Sequence, residues 1–454
     1  MFLTGRVGLL AVVGALLVGL VAPGLSGLLA VEGALLLGIG LDVLLATSPK
    51  RLRLVRGGDR SVRLGAECAT TLTAVNTAGP GRLPFRGLLR DAWPPSAGAE
   101  RTRHRFRLPA GERVRLTTRL RPTRRGDRHS GPVTVRSTGP LGLAGRQRTR
   151  QVEWTVRALP PFHSRRHLPS RLARLRQLDG RNAALVRGQG TEFDSLREYV
   201  DGDDVRSIDW RATARGGNLT VRTWRPERDR HLLIVLDTSR TSAGRVGTGD
   251  ASAPRLDAAM DAALLLAALA SQAGDRVDLL AYDRRVRAEV RGGSRSELLP
   301  ALVNAMARLE PELVEADATS LVSAVLGRAG RRSLVVLLTG LEAAVVEEGL
   351  LPVIGLLTSR HQVLVASVGD PRTGLLASGR GGPDAHSADT AAEGSGQETA
   401  AVYLAAAAER SLAERGRTSA ALRRLGVEVL DASPEELPPA LADRYLALKA
   451  AGRL

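Results

Sequence analysis

HLLIVLDTSRT, from His231 to Thr241, runs Leu-Leu-Ile-Val-Leu without a polar break and then stops on an aspartate and a series of hydroxyls. Successive side chains of a strand point to opposite faces, so an unbroken apolar run marks a strand buried on both, as in a parallel sheet covered by helices. The same grammar repeats downstream. RVDLLAYD (276–283), VRAEV (286–290), RSLVVLLT (332–339), QVLVASV (362–368) and VEVLDAS (427–433) read as strands. Between them, helical patterns run over Pro254–Ala273, Glu297–Leu309, Ser320–Ala329, Ala344–Thr358, Ala400–Leu425 and Pro434–Ala451. Residues 231–454 are therefore expected to form an α/β doubly wound domain, whose binding site lies beyond the carboxyl ends of the strands. Those ends carry Asp237-Thr238-Ser239-Arg240-Thr241, Tyr282-Asp283, Thr339-Gly340 and Val368-Gly369-Asp370. Residues 373–397, rich in Gly, Ser, Ala and Asp, read as a flexible loop without function.

The chain begins differently. Val7–Val21 is apolar, Pro23-Gly24 interrupts, and Leu25–Thr47 is apolar again but for Glu32 and Asp42. A spanning helix needs about 20 apolar residues, and the pattern over 1–48 predicts a transmembrane helical hairpin. A cleaved leader competes, because Arg6 precedes the first apolar run, but no small-x-small site leads into a polar chain. Arg6 at one end and Lys50, Arg51, Arg53 and Arg56 at the other place both ends, and the bulk of the chain, on the cytoplasmic side of a cell membrane. An ionised Glu32 at mid-bilayer would cost about 2.5–3.5 kcal/mol, which favours a protonated, packed or shallow position. Residues 51–158 change to short alternating segments, SVRLG, TTLTAVN, HRFRLP, RVRLTTRL, PVTVRS and VEWTVRAL, separated by turn residues, the pattern of an antiparallel β-sandwich-like domain without chemistry of its own. Residues 159–230 read as a linker and a charged segment, so the chain is multidomain.

Composition narrows the function. The 454 residues carry a formal charge of +18, yet of 65 basic residues only Lys50 and Lys449 are lysine. Arginine is spread among acids, and aromatics are 3%, unlike the clustered basic face with stacking platforms of a nucleic-acid binder. The single Cys68 and seven scattered histidines exclude a disulfide framework and a Cys-rich zinc site.

Asp237 admits three chemistries. A phosphate-binding loop would need a glycine cradle with lysine, which the chain lacks. An aspartyl phosphotransferase would use Asp237 as nucleophile, but its general acid two residues on is Ser239 and no lysine stands at a strand end. A hard-cation site fits better, because Asp237, Ser239 and Thr241 can turn oxygens toward Mg²⁺, which takes few protein ligands in an octahedral shell. Against all three, the carboxylate and hydroxyls can simply satisfy turn amides.

From Leu232 onward the chain resembles a von Willebrand factor A domain, with Asp237-x-Ser239-x-Thr241 similar to the family's first metal motif. The resemblance implies Thr319, in ADATSLV, as the second-motif ligand and an aspartate where Gly340 stands, so the implied Mg²⁺ site is incomplete. Glu342 is expected to face solvent. RGQGTEFDSLREYVDGDDVRSIDWRATAR (187–215), with LTVRTWRPERDRHLLIVLD after it, resembles the bacterial domain-of-unknown-function-58 family, in the arginine- and alanine-rich form of actinobacterial members. Nearly the whole chain fits that family's architecture. The resemblance implies a non-enzymatic adaptor without catalytic residues, working with a MoxR-type AAA+ ATPase in assembly or maturation of other proteins, with a transglutaminase-like membrane protein as a further partner. The alternative is a hydrolase or phosphotransferase using Asp237 or the acidic segment 190–215.

The acids Glu192, Asp194, Glu198, Asp201, Asp203, Asp204 and Asp209 lie among Arg197, Arg206, Arg211 and Arg215. With Phe193, Leu196, Tyr199 and Trp210 beside them, they read as an ion-pair clasp over an apolar anchor, since arginine forks bind carboxylates bidentately. Nothing singles out an acid pair for catalysis, and Gly202 sits wrongly for a calcium loop. The clasp either fixes the fold or docks a partner through Glu192, Phe193, Asp194, Arg197, Tyr199, Asp203, Asp204, Arg206, Asp209, Trp210 and Arg211.

Overall fold

The computed structural model describes residues 1–21, 23–80, 83–185, 192–225, 230–247, 252–330, 332–379 and 394–454. They divide into two compact units, Met1–Leu159 and Pro160–Leu454.

In the first unit, α1 (Gly5–Val21) and α2 (Leu25–Leu45) are apolar on all sides and meet where Gly14 leaves room for Val31. One helical segment, Leu25–Arg51, is long and apolar enough to cross a membrane. Glu32 is exposed on its surface. Among the described residues the unit holds twelve strands, of which β1 lies ahead of the expected strand-rich region and β3 and β12 pair in parallel where antiparallel pairing was expected: β1 (Phe2–Leu3), β2 (Leu52–Gly58), β3 (Ser61–Arg63), β4 (Cys68–Asn76), β5 (Phe85–Asp91), β6 (Ala99–Glu100), β7 (Arg103–Leu108), β8 (Arg113–Leu120), β9 (Gly126–His129), β10 (Val133–Thr138), β11 (Ala144–Arg150) and β12 (Thr155–Leu159). They pair as β1-β11-β10-β5-β7, β2-β4-β8-β6 and β3-β12-β9. Leu52, Leu72 and Leu116 of the second sheet and Phe85, Leu89 and Val135 of the first form one buried cluster. Across it Arg56 on β2 pairs with Asp91 on β5, both buried, and Asp91 also accepts from Thr118 Oγ1 (2.9 Å) and Trp93 Nε1 (3.0 Å). Burial pulls the Arg56 guanidinium below its ordinary range, against the opposing charge of Asp91.

Asp42, which interrupts the second apolar run, is fully buried at the end of α2. Its carboxylate accepts the backbone N–H groups of Leu141 (2.8 Å), Leu143 (2.6 Å) and Ala144 (2.8 Å). A side chain at Gly139 would overlap that carboxylate. Arg146 Nε donates to the Val43 carbonyl (3.0 Å), and Thr4 Oγ1 donates to the Gly142 carbonyl (2.7 Å). Both apolar helices are thus tied to the β10–β11 turn.

The second unit opens with α3 (Leu168–Leu185), where a linker was expected. Just before it, Ser164 donates its N–H and hydroxyl to the Asp261 carboxylate, and Leu175 is buried. An arm follows, made of β13 (Glu192–Glu198), α4 (Trp210–Gly216) and β14 (Thr220–Arg225), with β13 and β14 antiparallel. The remaining elements are β15 (His231–Asp237), β16 (Arg245–Val246), β17 (Ala253–Pro254), α5 (Arg255–Gln272), β18 (Arg276–Tyr282), β19 (Val286–Val290), α6 (Arg295–Ala307), α7 (Ala318–Leu326), β20 (Ser333–Leu338), α8 (Leu351–Thr358), β21 (Gln362–Val368), α9 (Pro371–Ala377), α10 (Gly394–Arg424), β22 (Glu428–Ala432) and α11 (Leu437–Ala450). The sheet order is β19-β18-β15-β20-β21-β22, all neighbours parallel except the edge pair β18–β19. Leu233, Val235, Val335 and Leu337 pack under Val322, Ile354, Leu357 and Leu422 of α7, α8 and α10. The apolar reading of β15 and its helices holds. The expectation of a loop over 373–397 is corrected at both ends, where α9 runs to Ala377 and α10 starts at Gly394; residues 380–393 lie outside the described residues.

Two outcomes are expected. Asp42→Ala leaves the buried N–H groups of Leu143 and Ala144, and the partly buried one of Leu141, without that acceptor and should cost about 3 kcal/mol in the first unit, read by urea unfolding of the full chain in detergent, with Asp42→Asn costing less. In the second unit burial pushes the Asp278 carboxyl up, but His231, the Gly292 N–H and Arg276 outweigh it and hold it at about 2, below the ordinary 3.8. Its contribution, about 1–2 kcal/mol, is present above pH 4 and lost as pH falls toward 2. Acid unfolding of Asp278→Asn should lack that part of the slope.

Candidate functional site

The apolar core of β15 forces its first polar residue, Asp237, to the sheet's carboxyl edge, only 8% exposed. A buried carboxylate needs donors, and the local sequence provides them. Asp237 Oδ1 accepts the Ser239 N–H (2.8 Å), and Oδ2 accepts the hydroxyls of Thr241 (2.7 Å) and Thr339 (2.6 Å). Ser239 and Thr241 hydroxyls lie 3.2 Å apart, and Ser242 Oγ donates to the Asp237 carbonyl (2.6 Å). The adjacent Thr238 hydroxyl donates to Asp283 Oδ2 (3.2 Å), while Asp283 Oδ1 accepts the N–H groups of Arg284 (2.6 Å) and Arg285 (3.2 Å). Beneath Asp237 lies a small cavity of about 40 Å³ lined by Val235, Tyr282, Leu337 and Val346.

Asp237, Ser239 and Thr241 come together as the sequence predicts, but Thr319 does not join them. It is exposed on α7 beside Asp317, whose carboxylate caps the helix through the Ser320 N–H (3.0 Å), and among the described residues no hydrogen bond ties Thr319 to the trio. Thr339, which lies at the end of the neighbouring strand β20, supplies the hydroxyl instead. Sequence reasoning passed it over because the contact joins residues 102 positions apart.

Glu342 also departs from expectation. It folds back over Gly340, where any Cβ would overlap its carboxylate. Its Oε1 pairs with Arg255 Nη1, and the same nitrogen donates to the Thr241 carbonyl (2.8 Å). The position implied for a metal-binding aspartate is thus filled by a carboxylate from two residues on, already committed to a guanidinium. A divalent cation needs oxygens free to face it, but here the second carboxylate is neutralised and a fixed positive charge stands beside the trio. The residues present do not fit a resident Mg²⁺. Arg255 and Glu342 line a cleft of about 960 Å³ with Arg240, Asp370, Arg415 and Asp431.

Four of the acids in the clasp reading, Glu198, Asp203, Asp204 and Asp209, are paired within the arm. Arg197 binds Asp203 bidentately (2.7 and 2.5 Å), and Asp203 also accepts the Val200 N–H (3.0 Å). Asp209 caps α4 through the N–H groups of Arg211 (3.0 Å) and Ala212 (3.1 Å) and accepts from Arg222 Nε (2.8 Å). Asp204 accepts the Arg206 N–H (3.0 Å), and Glu198 accepts from Asn218 (2.9 Å). These hydrogen bonds, first from Arg197 and Arg222, hold the Asp203 and Asp209 carboxyls below the usual range. The apolar anchor is corrected: Trp210 is 65% exposed, and Leu196, Val200, Val205 and Leu219 face outward, while Val221 is buried. Tyr199 is half-buried. Glu192, Phe193 and Asp194 belong to β13, and their side chains lie outside the described residues.

At the opposite edge of the sheet the structure assembles a serine, a histidine and an aspartate that the sequence did not suggest. His231 Nδ1 lies 2.9 Å from Ser333 Oγ, and His231 Nε2 lies 2.9 Å from Asp278 Oδ2. Ser333 is 2% exposed, so no substrate carbonyl can approach its hydroxyl. The trio satisfies the buried strand ends.

Asp237→Ala should destabilise the second unit by about 3 kcal/mol and speed amide exchange at Ser239 and Ser242, read by hydrogen exchange; unchanged protection would contradict the role given to the carboxylate.

Among known proteins, a family model described as protein of unknown function DUF58 matches residues 195–382. Uncharacterized proteins of Mycobacterium tuberculosis (Rv1480) and Mycobacterium bovis (Mb1516) are each 26% identical over 197 residues, 43% of this chain and 60% of theirs. The chain therefore spans less than two thirds of these relatives. Of solved structures, the CARDB domain of the PF1109 protein from Pyrococcus furiosus matches 25% of this chain and 97% of its own at 13% identity with a TM-score of 0.17. A GH20 exo-β-N-acetylglucosaminidase from Vibrio harveyi matches 73% and 80% at 9% identity and 0.16. Scores that low carry no argument about this fold. The family match takes in the arm from Ser195 onward, the Asp237 loop, Arg255, Gly340 and Glu342, so over residues 195–382 the chain is similar to the DUF58 family.

Proposed function

We propose that the chain is a membrane-tethered adaptor without catalytic turnover. In this reading α1 and α2 form a two-span hairpin, the bulk of the chain is cytoplasmic, and the second unit is a von Willebrand factor A-like binding domain. Its partner is a MoxR-type AAA+ ATPase acting in assembly or maturation of other proteins, with a transglutaminase-like membrane protein as a second candidate. The observation that carries the reading is the outward apolar face of the arm. Side chains such as Trp210 and Val205, more than 60% exposed, are held by a backbone fixed through Asp203, Asp204 and Asp209. Rigid acids beneath exposed aromatic and aliphatic groups suit docking, since buried aromatic anchors dominate interface energies. The hydrolase alternative has against it that those same acids, and Asp237, are already occupied by donors.

The test is retention of a MoxR-type ATPase on the full-length chain purified in detergent. Trp210→Ala should weaken retention at least tenfold, about 1.4 kcal/mol or more, with the fold intact by circular dichroism. Failure to retain the ATPase in ATP and in ADP would reject the adaptor reading.

A further inference from the structure

The outer face of the first unit's five-stranded sheet gathers arginines that the sequence spreads over three strands. Phe85, Leu89, Leu108 and Val135 point into the core, so the alternate residues point outward: Arg86 and Arg90 on β5, Arg103, Arg105 and Arg107 on β7, and Arg136 on β10, all exposed. Register sets them in three rungs. Arg107 stands directly opposite Arg86, Arg105 opposite Leu88 with Arg136 on its other side, and Arg103 opposite Arg90. No position of this face on β5, β7, β10 or β11 holds an aspartate or a glutamate. Arg136 donates to Gln147 Oε1 (2.7 Å) and lies over the Phe2 ring (5.1 Å), whereas the other five make no hydrogen bond or ion pair among the described residues. Like charges directly opposite each other across two strands are destabilising. The face carries two such pairs with no internal anion to offset them, unlike Arg56, Arg157 and Arg197, each of which meets an aspartate.

This face begins where the apolar helices attach. Arg86 is level with Thr138, the residue before Gly139, which packs against the Asp42 carboxylate at the end of α2. At the other edge of the sheet only Thr4 separates β1 from α1. The second and third rungs lie about 7 and 14 Å further from the β10–β11 turn than the first, against a Debye length of about 8 Å at physiological salt. With α1 and α2 in a membrane, the anions within reach are those of its headgroup layer. We propose that the arginine face binds the phosphates of anionic lipid headgroups and holds the strand-rich unit on the bilayer that its helices enter. Guanidinium forks match phosphate oxygens bidentately, and anionic lipid attracts basic residues close to its surface. Leu141, exposed at the tip of the turn, adds an apolar contact at the same end. A single-stranded nucleic acid would need stacking platforms, and the one aromatic ring of the face among the described residues, Phe2, is already covered by Arg136. The inference rests on the reading that α1 and α2 lie in a membrane, but not on the ATPase or the adaptor role.

For the test, the full-length chain is reconstituted into vesicles of phosphatidylcholine, alone or with one-third phosphatidylglycerol, and phenylglyoxal modification of each arginine is followed by mass spectrometry. Phosphatidylglycerol should slow modification of Arg86, Arg105, Arg107 and Arg136 at least threefold. Arg119, which stands opposite Glu100 on the other sheet, should keep its rate. Salt at about 1 M, which shortens the Debye length to about 3 Å, should restore the rates seen in phosphatidylcholine. Replacing the three arginines of β7 together, Arg103→Gln, Arg105→Gln and Arg107→Gln, should at least halve the protection left at Arg86. Inorganic phosphate added to phosphatidylcholine vesicles should protect none of them. Protection by phosphate alone would reassign the face to a soluble anion, and stronger protection by an oligonucleotide than by phosphatidylglycerol would reassign it to nucleic acid; either result overturns the proposal. A chain that floats with the vesicles on a density gradient in high salt, yet is modified equally in both lipids, rejects the proposal alone. A chain that does not float with them rejects the spanning reading, and the proposal with it.

Discussion

A carboxylate at the edge of a buried sheet must be answered by donors, and in the second unit that requirement falls on Asp237. Three donors from three positions, one of them just past the adjacent strand β20, converge on it. The loop after β15 therefore closes on itself instead of opening to solvent, and Thr339 staples it to the neighbouring strand end. From that closure the rest of the edge follows. Thr241 is fixed, its carbonyl is aimed at Arg255, and Arg255 in turn draws Glu342 back over Gly340.

The abundance of arginine has a structural use of the same kind. The fork binds through two N–H···O bonds where Arg197 meets Asp203 in the arm and Arg415 meets Asp431 of β22, while Arg56 to Asp91 between sheets and Arg444 to Glu428 are single contacts. Most of these pairs are partly exposed, where each contributes little on its own to stability. Their directionality matters more, because two parallel N–H···O bonds fix orientation as well as distance. A formal charge of +18 thus goes with a molecule that spends part of its arginine on internal contacts.

Sequence alone revealed the parallel sheet because its central strands β15 and β20 are near-unbroken apolar runs, a signal that does not depend on knowing the neighbours. It revealed that residues 51–158 are strands, but not that they form three sheets, since alternation fixes which face is buried and leaves pairing open. β5 and β11, with glycine and arginine in them, lacked a clean alternation and went unread. The antiparallel edge strand β19 is likewise set by its short connection to β18 and not by its composition. At the site, the residues within one loop were legible and those arriving from elsewhere were not. Asp237, Ser239 and Thr241 share five residues of chain, whereas Thr339, Arg255 and Glu342 come from other elements. Thr319 was drawn in by motif likeness and stands apart because Asp317, two residues before it, directs that turn into a helix cap.

Asp42 has a consequence in time. Its carboxylate is part of α2, but the amides it serves belong to residues 99 to 102 positions later. At a synthesis rate of roughly 5–20 residues per second, those amides emerge about 5–20 s after the helix. During that interval the acid has no internal partner, and a charge without a partner stays in water or at an aqueous boundary. The end of α2 is therefore marked before the strands exist, and the β10–β11 turn, when it forms, finds its docking point already set.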